Sequence, residues 1–597
     1  MAIWNRKNHS DTASDESPQR AQEFGKSEQD YPQNETIVLA DGQQEISNKE
    51  GTKLHRGLKA RHITMIAIGG AIGTGLIIGT GAALAKAGPG SILISYSMVG
   101  LLVFIVMAGL GEMAAWLPLG SGFSGYATRF VDPALGFALG YTYWFKYIIV
   151  TPNQLTAAAL VIQFWCPPER VNPGVFITVF LVAILCINYF GIKFFGEFEF
   201  WLSSIKVVVI VGLILLSFIL MLGGGPDKDR KGFRYWRNPG AFKELTIGAN
   251  HITGDTGRFL AFWASMVTAV FAYLGTELVG VTVGEAQNPR KTVPRAIKLT
   301  FYRILFFYVL SVLLLGMNVP YNSPELIFAN KGTNGGANKS SASASPFVVA
   351  IRLAEIPHLP GILNACILIF VFSAANSDLY IASRTIYGLA SQGKAPRILA
   401  KTDKRGVPIY ALGLSSLFCL LAYLNVADDA RVVFGYFVNL VTIFGLLTWI
   451  SILVTHIFFV RARKAQGIPD SAMPYTSPGG IWGTYIALFF CCLIAVTKNF
   501  DVFIRNPKTA TNATGYGNFD YKNFITGYLG IPLYLIMIFG YKLYYKTKGI
   551  APLEADFYSG KAEIDREEEE FLARKAAMGE KIKGGNWFYR TFVSWLF

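Results

Sequence analysis

Several ionisable side chains lie inside long apolar stretches of this sequence, among them Glu112, Lys146, Lys206 and Glu277. A charge in an apolar interior costs several kcal/mol unless it is paired or its group changes protonation state. Such groups can bind a charged ligand or carry protons. For Glu277, we expect either a proton carrier or a hydrogen-bonded structural anchor, and the sequence leaves both open.

A run of glycines interrupts the first apolar stretch, residues 62–87. It contains Gly69, Gly70, Gly73 and Gly75. Each glycine in a helix interior costs up to about 1 kcal/mol relative to alanine. The run therefore predicts a broken helix. In lipid, the freed backbone groups are tolerated only beside protein or a wet cavity.

The chemistry of this break suits a zwitterion. The amides of Gly73, Thr74 and Gly75 would start a half-helix, where the dipole favours a carboxylate. The carbonyls of Ala67 and Gly70 would face an ammonium group from the other half. The alternative is that these small residues only allow close helix packing.

A second apolar stretch, residues 259–284, carries Gly275, Thr276 and Glu277 near its middle. Two interrupted helices at corresponding places in two halves of a chain indicate a transporter binding site. We therefore expect the two breaks to lie together.

Composition gives the class of protein. Of 597 residues, 52% are hydrophobic and only 16% are charged, against about 25% charged in ordinary globular chains. This is typical of a polytopic membrane protein. The net charge of +15 resides mainly in short loops, as membrane topology requires, so we expect no nucleic-acid partner. The motifs of an enzyme, a metal site or a nucleotide loop are not visible, so we predict no enzyme and no cofactor.

Hydropathy predicts an all-α protein with twelve transmembrane helices. The first and sixth helices are broken, which indicates two five-helix repeats of opposite topology followed by two extra helices. The spans lie at about 62–87, 91–116, 134–163, 174–193, 200–222, 259–284, 298–319, 361–389, 409–425, 433–460, 482–499 and 524–545.

The ends of the chain are polar. Residues 1–58 predict a disordered tail whose lysines are candidate ubiquitination sites, residues 59–549 the membrane domain, and residues 550–597 a charged tail. Basic clusters at 290–295, 394–405 and 461–464 place both tails in the cytosol. The sequons at Asn338 and Asn512 then lie outside, and the sequence does not say whether either is glycosylated.

Several stretches resemble the fungal amino acid permeases of the amino acid–polyamine–organocation superfamily. They are GGAIGTGLIIGTG, GLGEMAAWLP, DPALGFALGYTYWFKY, GEFEFWLSSIKV, YLGTELVGVTVGEAQNPRKTVPRAI and FSAANSDLYIASRTIYGLASQGKAP. The resemblance covers about residues 53–549. Within the family, FKY, TPNQLTAA and DREEEE are most similar to the subfamily that transports dicarboxylic amino acids.

The resemblance implies a LeuT-like fold and alternating access. It implies import of glutamate, aspartate and some neutral amino acids across the plasma membrane, driven by the proton gradient. A permease with a broad or neutral substrate range is the first alternative. A non-transporting amino acid sensor is the second, although such sensors usually have longer tails.

The resemblance also gives roles to single residues. Phe271 matches an aromatic residue that closes over substrate, and Lys206 matches a lysine that replaces a bound sodium ion and couples protons to transport. The alternative for Lys206 is snorkelling to the cytosolic interface. Glu112 matches a structural or gate position, and Asn376 is a candidate cavity residue.

Substrate choice is predicted to depend on Lys146 and Gln154. Many family members have a non-ionic residue at the first position and glutamate at the second. A gained cation and a lost anion would both favour an acidic substrate. The alternative is a structural ion pair between Lys146 and a carboxylate that the sequence does not identify.

Overall fold

The computed structural model describes residues 73–119, 122–167, 170–190, 192–247, 250–278, 280, 289–330, 345–424, 430–504, 519–562, 565–566, 568–570 and 572–573. The α-helices are α1 (Thr80–Ala87), α2 (Pro89–Trp116), α3 (Gly122–Phe130), α4 (Pro133–Ile162), α5 (Pro173–Tyr189), α6 (Ile192–Met221), α7 (Gly254–Tyr273), α8 (Pro289–Arg303), α9 (Ser311–Asn318), α10 (Pro324–Asn330), α11 (Pro346–Leu353), α12 (Leu359–Ser391), α13 (Ile409–Leu417), α14 (Ala430–Ala465), α15 (Gly480–Thr497), α16 (Tyr521–Tyr528) and α17 (Gly530–Tyr545).

Shorter elements join these helices. A two-stranded antiparallel sheet pairs β1 (Thr246–Ile247) with β2 (Asn250–His251). The π-helical turns are Gly75–Gly79, Trp236–Gly240 and Ile304–Leu310, and the 3-10 turns are Arg397–Ala400, Phe418–Tyr423, Asp470–Ala472 and Phe500–Phe503.

The starts of several helices follow directly from the sequence. Asp132 accepts a hydrogen bond from the backbone N–H of Ala134 at 2.8 Å, and Pro133 occupies the first turn of α4. Asn172 caps α5 in the same way through Gly174, also at 2.8 Å. A side-chain acceptor followed by proline satisfies the unpaired amides and sets the backbone angle of the first turn.

Seven described helices are long and apolar enough to cross a membrane, or eight if the bent pair α16 and α17 forms one span. Shorter apolar helices lie at Gly75–Ala87, Pro173–Tyr189 and Ile409–Tyr423. Described helices thus occur at all twelve predicted places, although the number twelve itself stays a prediction. The start of the first predicted span, residues 62–72, lies outside the described residues.

The burial of the helices fits a membrane bundle. In the apolar stretch of α4, 89% of the residues are buried inside the protein, against 28% in the apolar stretch that contains α15. Large apolar side chains on the outer helices are exposed, including Trp482 at 76% and Val208 at 71%. Helix α4 packs against α12, α14 and α17 and forms the centre of the bundle. Any group in the middle of α4 is therefore surrounded by protein.

The segment after α17 packs against the ends of earlier helices. Phe557 is fully buried with Trp116, Phe130 and Phe459, and the indole N–H of Trp116 donates to the Phe557 carbonyl at 3.1 Å. Arg129 forms an ion pair with Asp556 at 3.0 Å. We call residues 546–562 the C-terminal clasp.

The clasp includes the first part of the predicted charged tail, and this part packs against the helices. The carboxylate of Asp556 is half-buried, and burial by itself raises the pKa of that group. Hydrogen bonds from Ser559 and from the amide of Tyr558, together with Arg129, outweigh this and bring the pKa below its ordinary value. Beyond the clasp, Arg290 forms ion pairs with Asp565 and with Glu568.

Candidate functional site

The described start of the first span meets the interruption that follows α7. Helix α7 ends at Tyr273, and the following turn contains Gly275 with φ 99°, a conformation that strongly favours glycine. The π-helical turn of the first span lies directly against the end of α7. A Cβ atom on Gly75 would stand 2.4 Å from the Cα atom of Ala272. Residues on the C-terminal side of the first predicted break therefore lie against the end of α7.

Lys146 forms a buried ion pair beside this junction. Its side chain, from the middle of α4, is 2% exposed, and its ammonium group contacts Oε1 of Glu277, which is fully buried. The Nζ atom also lies 4.6 Å from the ring centre of Tyr147 and 5.2 Å from that of Tyr143. Aromatic faces stabilise a cation that has lost its water.

The Glu277 carboxylate also holds the second break. Its Oε2 atom accepts a hydrogen bond from the backbone N–H of Gly275 at 3.2 Å. The indole N–H of Trp449, from α14, donates to the same oxygen at 3.4 Å. Glu277 therefore joins α4, α14 and the turn after α7 at one carboxylate.

A second buried pair lies on α6. The Nζ atom of Lys206 is 3.8 Å from Oε1 of Glu199, and both side chains are fully buried. The same oxygen accepts hydrogen bonds from Ser203 at 3.1 Å and from Ser373 of α12 at 2.6 Å. The Glu199 carboxylate thus has two hydroxyl donors as well as the ammonium.

Gln154 and Asp378 lie on neighbouring helices. Gln154, on α4, is buried, and its Oε1 atom has no hydrogen-bond partner among the described residues. The Oδ2 atom of Asp378, on α12, is also buried without a partner in the described part of the chain. The bundle interior therefore holds further polar atoms besides the two ion pairs.

Chemically, this interior can bind charges and exchange protons. Buried carboxylates and ammonium groups change protonation state when a neighbouring charge is added or removed. Broken backbone next to them supplies amides and carbonyls for a small polar ligand. These are the properties of a binding site for a small charged solute.

Comparison with known proteins identifies the family. The family model described as amino acid permease matches residues 62–549. The chain belongs to the amino acid permease family. The resemblance seen in the sequence is therefore confirmed.

Curated relatives match along most of the permease. It is 57% identical over 552 residues to the dicarboxylic amino acid permease of Saccharomyces cerevisiae, covering 92% of this chain and 87% of the relative. It is 37% identical to a proline-specific permease of Emericella nidulans, covering 92% and 94%. A lysine-specific permease of Saccharomyces cerevisiae is 38% identical, covering 87% and 81%.

A solved structure shares the fold. A mutant of the Eremococcus coleocola manganese transporter matches with a TM-score of 0.51 at 11% identity, covering 82% of the permease and 94% of that chain. The predicted all-α, LeuT-like class of polytopic membrane protein is thereby confirmed.

The structure describes part of the predicted zwitterion site. Gly73 has open space around it, since a Cβ atom there would meet nothing within 4 Å. Thr74 is buried, and its hydroxyl has no hydrogen-bond partner among the described residues. Ala67 and Gly70 lie outside the described residues. The binding role of this break stays a prediction.

Around the second break, Phe271 and Thr276 are buried. The ring of Phe271 packs edge-on against Phe434 of α14, with ring centres 6.1 Å apart. The Thr276 hydroxyl donates to the carbonyl of Tyr273 at 3.0 Å and so closes the end of α7. Phe271 lies near the end of α7, and its closing role stays a prediction.

Two predicted residues lie apart from the ion pairs. Asn376 accepts a hydrogen bond from Asn188 of α5 at 3.0 Å, so its carbonyl oxygen faces a neighbouring helix. Glu112 accepts from the Ser477 amide at 2.8 Å and lies 3.1 Å from Nε2 of His456. Arg463 is 3.5 Å from its other oxygen. This arrangement fits the structural or gate role predicted for Glu112.

The contacts of Lys206 and Lys146 can be compared with the alternative roles, snorkelling and a structural ion pair, that the sequence left open for them. Lys206 is fully buried against Glu199, so snorkelling to an interface does not describe its side chain. For Lys146, the carboxylate that the sequence did not identify is Glu277. An anionic ligand of Lys146 must therefore compete with Glu277.

Sequence reasoning missed Glu199, Ser373 and Trp449. Glu199 was detectable, because it lies seven residues before Lys206, two turns along one helix face. Trp449 carried no such signal, since its contact with Glu277 spans 172 positions.

Proposed function

We propose that this permease imports acidic amino acids, L-glutamate and L-aspartate, together with protons, across the plasma membrane by alternating access. Some neutral amino acids would enter by the same route. The dicarboxylic permease relative supports the substrate class. The observation that carries the proposal is the buried ammonium of Lys146 beside the two breaks.

The α-amino and α-carboxyl groups of the substrate would bind at the breaks. Gly73, Thr74 and Gly75 supply amides for the carboxylate, and the turn around Gly275 supplies backbone on the opposite side. Every amino acid shares these groups. The breaks therefore account for amino acid binding in general, and Lys146 accounts for the choice of an acidic side chain.

The side-chain carboxylate of the substrate would replace Glu277 at Lys146. Glu277 would keep the N–H of Gly275 and the indole N–H of Trp449 as donors. An anion brought into this interior would also raise the affinity of nearby carboxylates for protons. Binding of an acidic substrate would thus favour proton uptake, and the proton gradient would drive accumulation.

Removal of the Lys146 charge tests the proposal. Lys146→Met alone would leave Glu277 buried without its cation, which costs about 3–5 kcal/mol in comparable pairs. The double variant Lys146→Met/Glu277→Gln removes both charges and is the informative protein. Charge-assisted contacts contribute about 1.5–3 kcal/mol, so the ratio of glutamate to alanine uptake should fall roughly ten- to a hundredfold.

The measurement is initial uptake of labelled glutamate and alanine by whole cells that lack their own acidic amino acid uptake. The ratio removes differences in surface expression. An unchanged ratio would contradict the role of Lys146. Wild-type uptake of neutral amino acids with no preference for glutamate would favour the broad or neutral permease instead.

We also propose an orientation of the chain in the membrane, which rests on the basic loops between the spans. Both tails would lie in the cytosol, where the lysines of the N-terminal tail are accessible to ubiquitination enzymes. Protease added to intact cells should then leave epitopes at both ends uncut, and permeabilised cells should lose them.

A further inference from the structure

A cavity of about 340 Å³ lies between α17, the start of α4 and the turn that follows α12. Aromatic rings form much of its wall. The ring of Phe137, on α4, stacks on that of Tyr541, on α17, with ring centres 4.7 Å apart and the planes 28° from parallel. Tyr545, one turn further along α17, packs on the other side of Tyr541 at 4.5 Å. This cavity shares no residue with the two buried ion pairs.

The cavity is continuous with the outer face of α17. Ile536 lines the cavity and is also 66% exposed, and the same helix exposes Phe539 and Leu543. Exposed apolar side chains on a membrane helix contact lipid. Tyr544 and Tyr545, at the end of the helix, line the cavity at the level where tyrosines meet the headgroups. A lipid molecule can therefore enter the cavity from the side.

Lys394 brings a positive charge to the wall of this cavity. Its ammonium group donates to the hydroxyl of Thr128 at 2.8 Å, and its carbonyl accepts from the hydroxyl of Tyr141 at 3.0 Å. The described residues place no carboxylate within ion-pair distance of the ammonium, and burial lowers its pKa to about 8. An ammonium has three donor positions, so this group can still bind an anion.

Two basic segments flank the cavity. Residues 394–405 contain five basic residues and one acidic residue, and residues 542–548 contain three basic residues and no acidic one. Lys542 pairs with Asp132 at 2.8 Å, whereas Lys546 is exposed. Basic residues at a membrane surface attract anionic lipids and leave zwitterionic ones unaffected. In the orientation proposed above, these segments face the cytosolic leaflet, which carries the anionic phospholipids.

We propose that this cavity binds an anionic phospholipid of the cytosolic leaflet. The phosphate group lies at Lys394, and an acyl chain follows α17 towards Ile536, which is about two and a half turns deeper than Tyr545. Gly540 leaves room for that chain, because a Cβ atom there would meet nothing within 4 Å. The bound lipid would join α17 to α4 and to the turn after α12. The choice of leaflet rests on the proposed orientation, but the choice of an anionic lipid does not.

Photolabelling tests the proposal. The full-length protein is reconstituted in phosphatidylcholine vesicles that contain a little phosphatidylserine with a photoactivatable acyl chain, and labelled peptides are identified by mass spectrometry. Wild type should be labelled within residues 536–545. Excess unlabelled phosphatidylserine should remove the label, and excess phosphatidylcholine should not.

Three variants connect the label to the cavity. Gly540→Phe fills the open space with a ring and should lose most of the label. Lys394→Gln keeps a donor for Thr128 but removes the charge. It should lower labelling about fivefold, which corresponds to about 1 kcal/mol for one basic residue at an anionic surface. Leu543→Phe is the control, because this exposed residue lies on the same helix outside the cavity lining. It should be labelled as wild type.

Equal labelling by a phosphatidylcholine analogue would overturn the proposal, because the site would then be ordinary lipid contact. Displacement of the label by a sterol or by inorganic phosphate, or a cross-link between two copies at these peptides, would also overturn it. If Gly540→Phe does not fold, Tyr544→Ala takes its place, since that ring lines the cavity and is 80% exposed. Unchanged labelling in Lys394→Gln and in the folded cavity variant overturns the site. The readout is lipid binding, so failure of the proposed substrate choice leaves this test intact.

Discussion

The two buried lysine–carboxylate pairs of this permease are built differently. The Lys146–Glu277 pair joins α4 to the turn after α7, so its partners belong to separate elements, one of them broken. The Lys206–Glu199 pair lies within α6. Elements that move relative to one another can separate the first pair, whereas the partners of the second move together. The first is suited to exchange with a ligand, and the second to a change of protonation state that needs no separation of its partners.

Their surroundings support the same distinction. Lys146 faces two tyrosine rings, which stabilise its charge after Glu277 has left. Glu199 accepts from the hydroxyls of Ser203 and Ser373, which stabilise its charge even if Lys206 loses a proton. In the Lys146–Glu277 pair, the surroundings stabilise the cation when its partner leaves. In the Lys206–Glu199 pair, they stabilise the anion when its partner loses its charge.

The largest effect should come from a change at the contact between the first span and the end of α7. Gly75→Ala puts a Cβ atom 2.4 Å from the Cα atom of Ala272, and backbone cannot move aside cheaply. We expect loss of binding for acidic and neutral substrates alike. A binding assay on purified protein, with glutamate and alanine as competing ligands, measures this.

Gly73→Ala is the control for that experiment, because the added methyl group meets nothing within 4 Å. It should keep most binding. Normal binding by a folded Gly75→Ala protein would show that the contact between the breaks is not needed, and the two pairs would have to be considered separately.

The next largest effect distinguishes the pairs. Lys206→Met should abolish uphill accumulation of every substrate and the acceleration of uptake at acid pH, without changing the glutamate to alanine ratio. Lys206→Met/Glu199→Gln removes the unpaired carboxylate and is the companion variant, since breaking a buried pair costs about 3–5 kcal/mol. Accumulation ratios in energised cells give the result. A pH-dependent accumulation equal to wild type in either variant would remove Lys206 from coupling.

The smallest effects sharpen the comparison. Ser373→Ala removes one donor from Glu199, and Trp449→Phe removes one from Glu277. A single hydrogen bond contributes about 0.5–1.5 kcal/mol, so each change should alter uptake about two- to tenfold. Ser373→Ala should shift the pH profile, and Trp449→Phe should shift the glutamate to alanine ratio. If Ser373→Ala instead shifts the uptake ratio and Trp449→Phe shifts the pH profile, the roles of the two pairs are interchanged.

The sequence predicted the second break, the membrane class and most of the buried ionisable residues, because glycines and buried charges are local features. Pairings were harder to predict. The partner of Lys146 is 131 positions away, and only the packing of α4 against the broken helix brings it close. Spacing would have found Glu199 but not Ser373 from α12. The number of membrane spans stays a prediction, because the helices Pro173–Tyr189 and Ile409–Tyr423 are short for a membrane span.

The C-terminal clasp has a practical consequence for handling the protein. Phe557 fills a space among Trp116, Phe130 and Phe459, and truncating a buried phenylalanine typically costs about 3–5 kcal/mol. A fluorescent reporter or purification tag fused directly after Tyr545 would replace this wedge with a foreign chain. Fusions placed downstream of Glu570 keep it. Loss of surface fluorescence in a shortened fusion would therefore be explained first by the loss of this packing, before a missing sorting signal is considered.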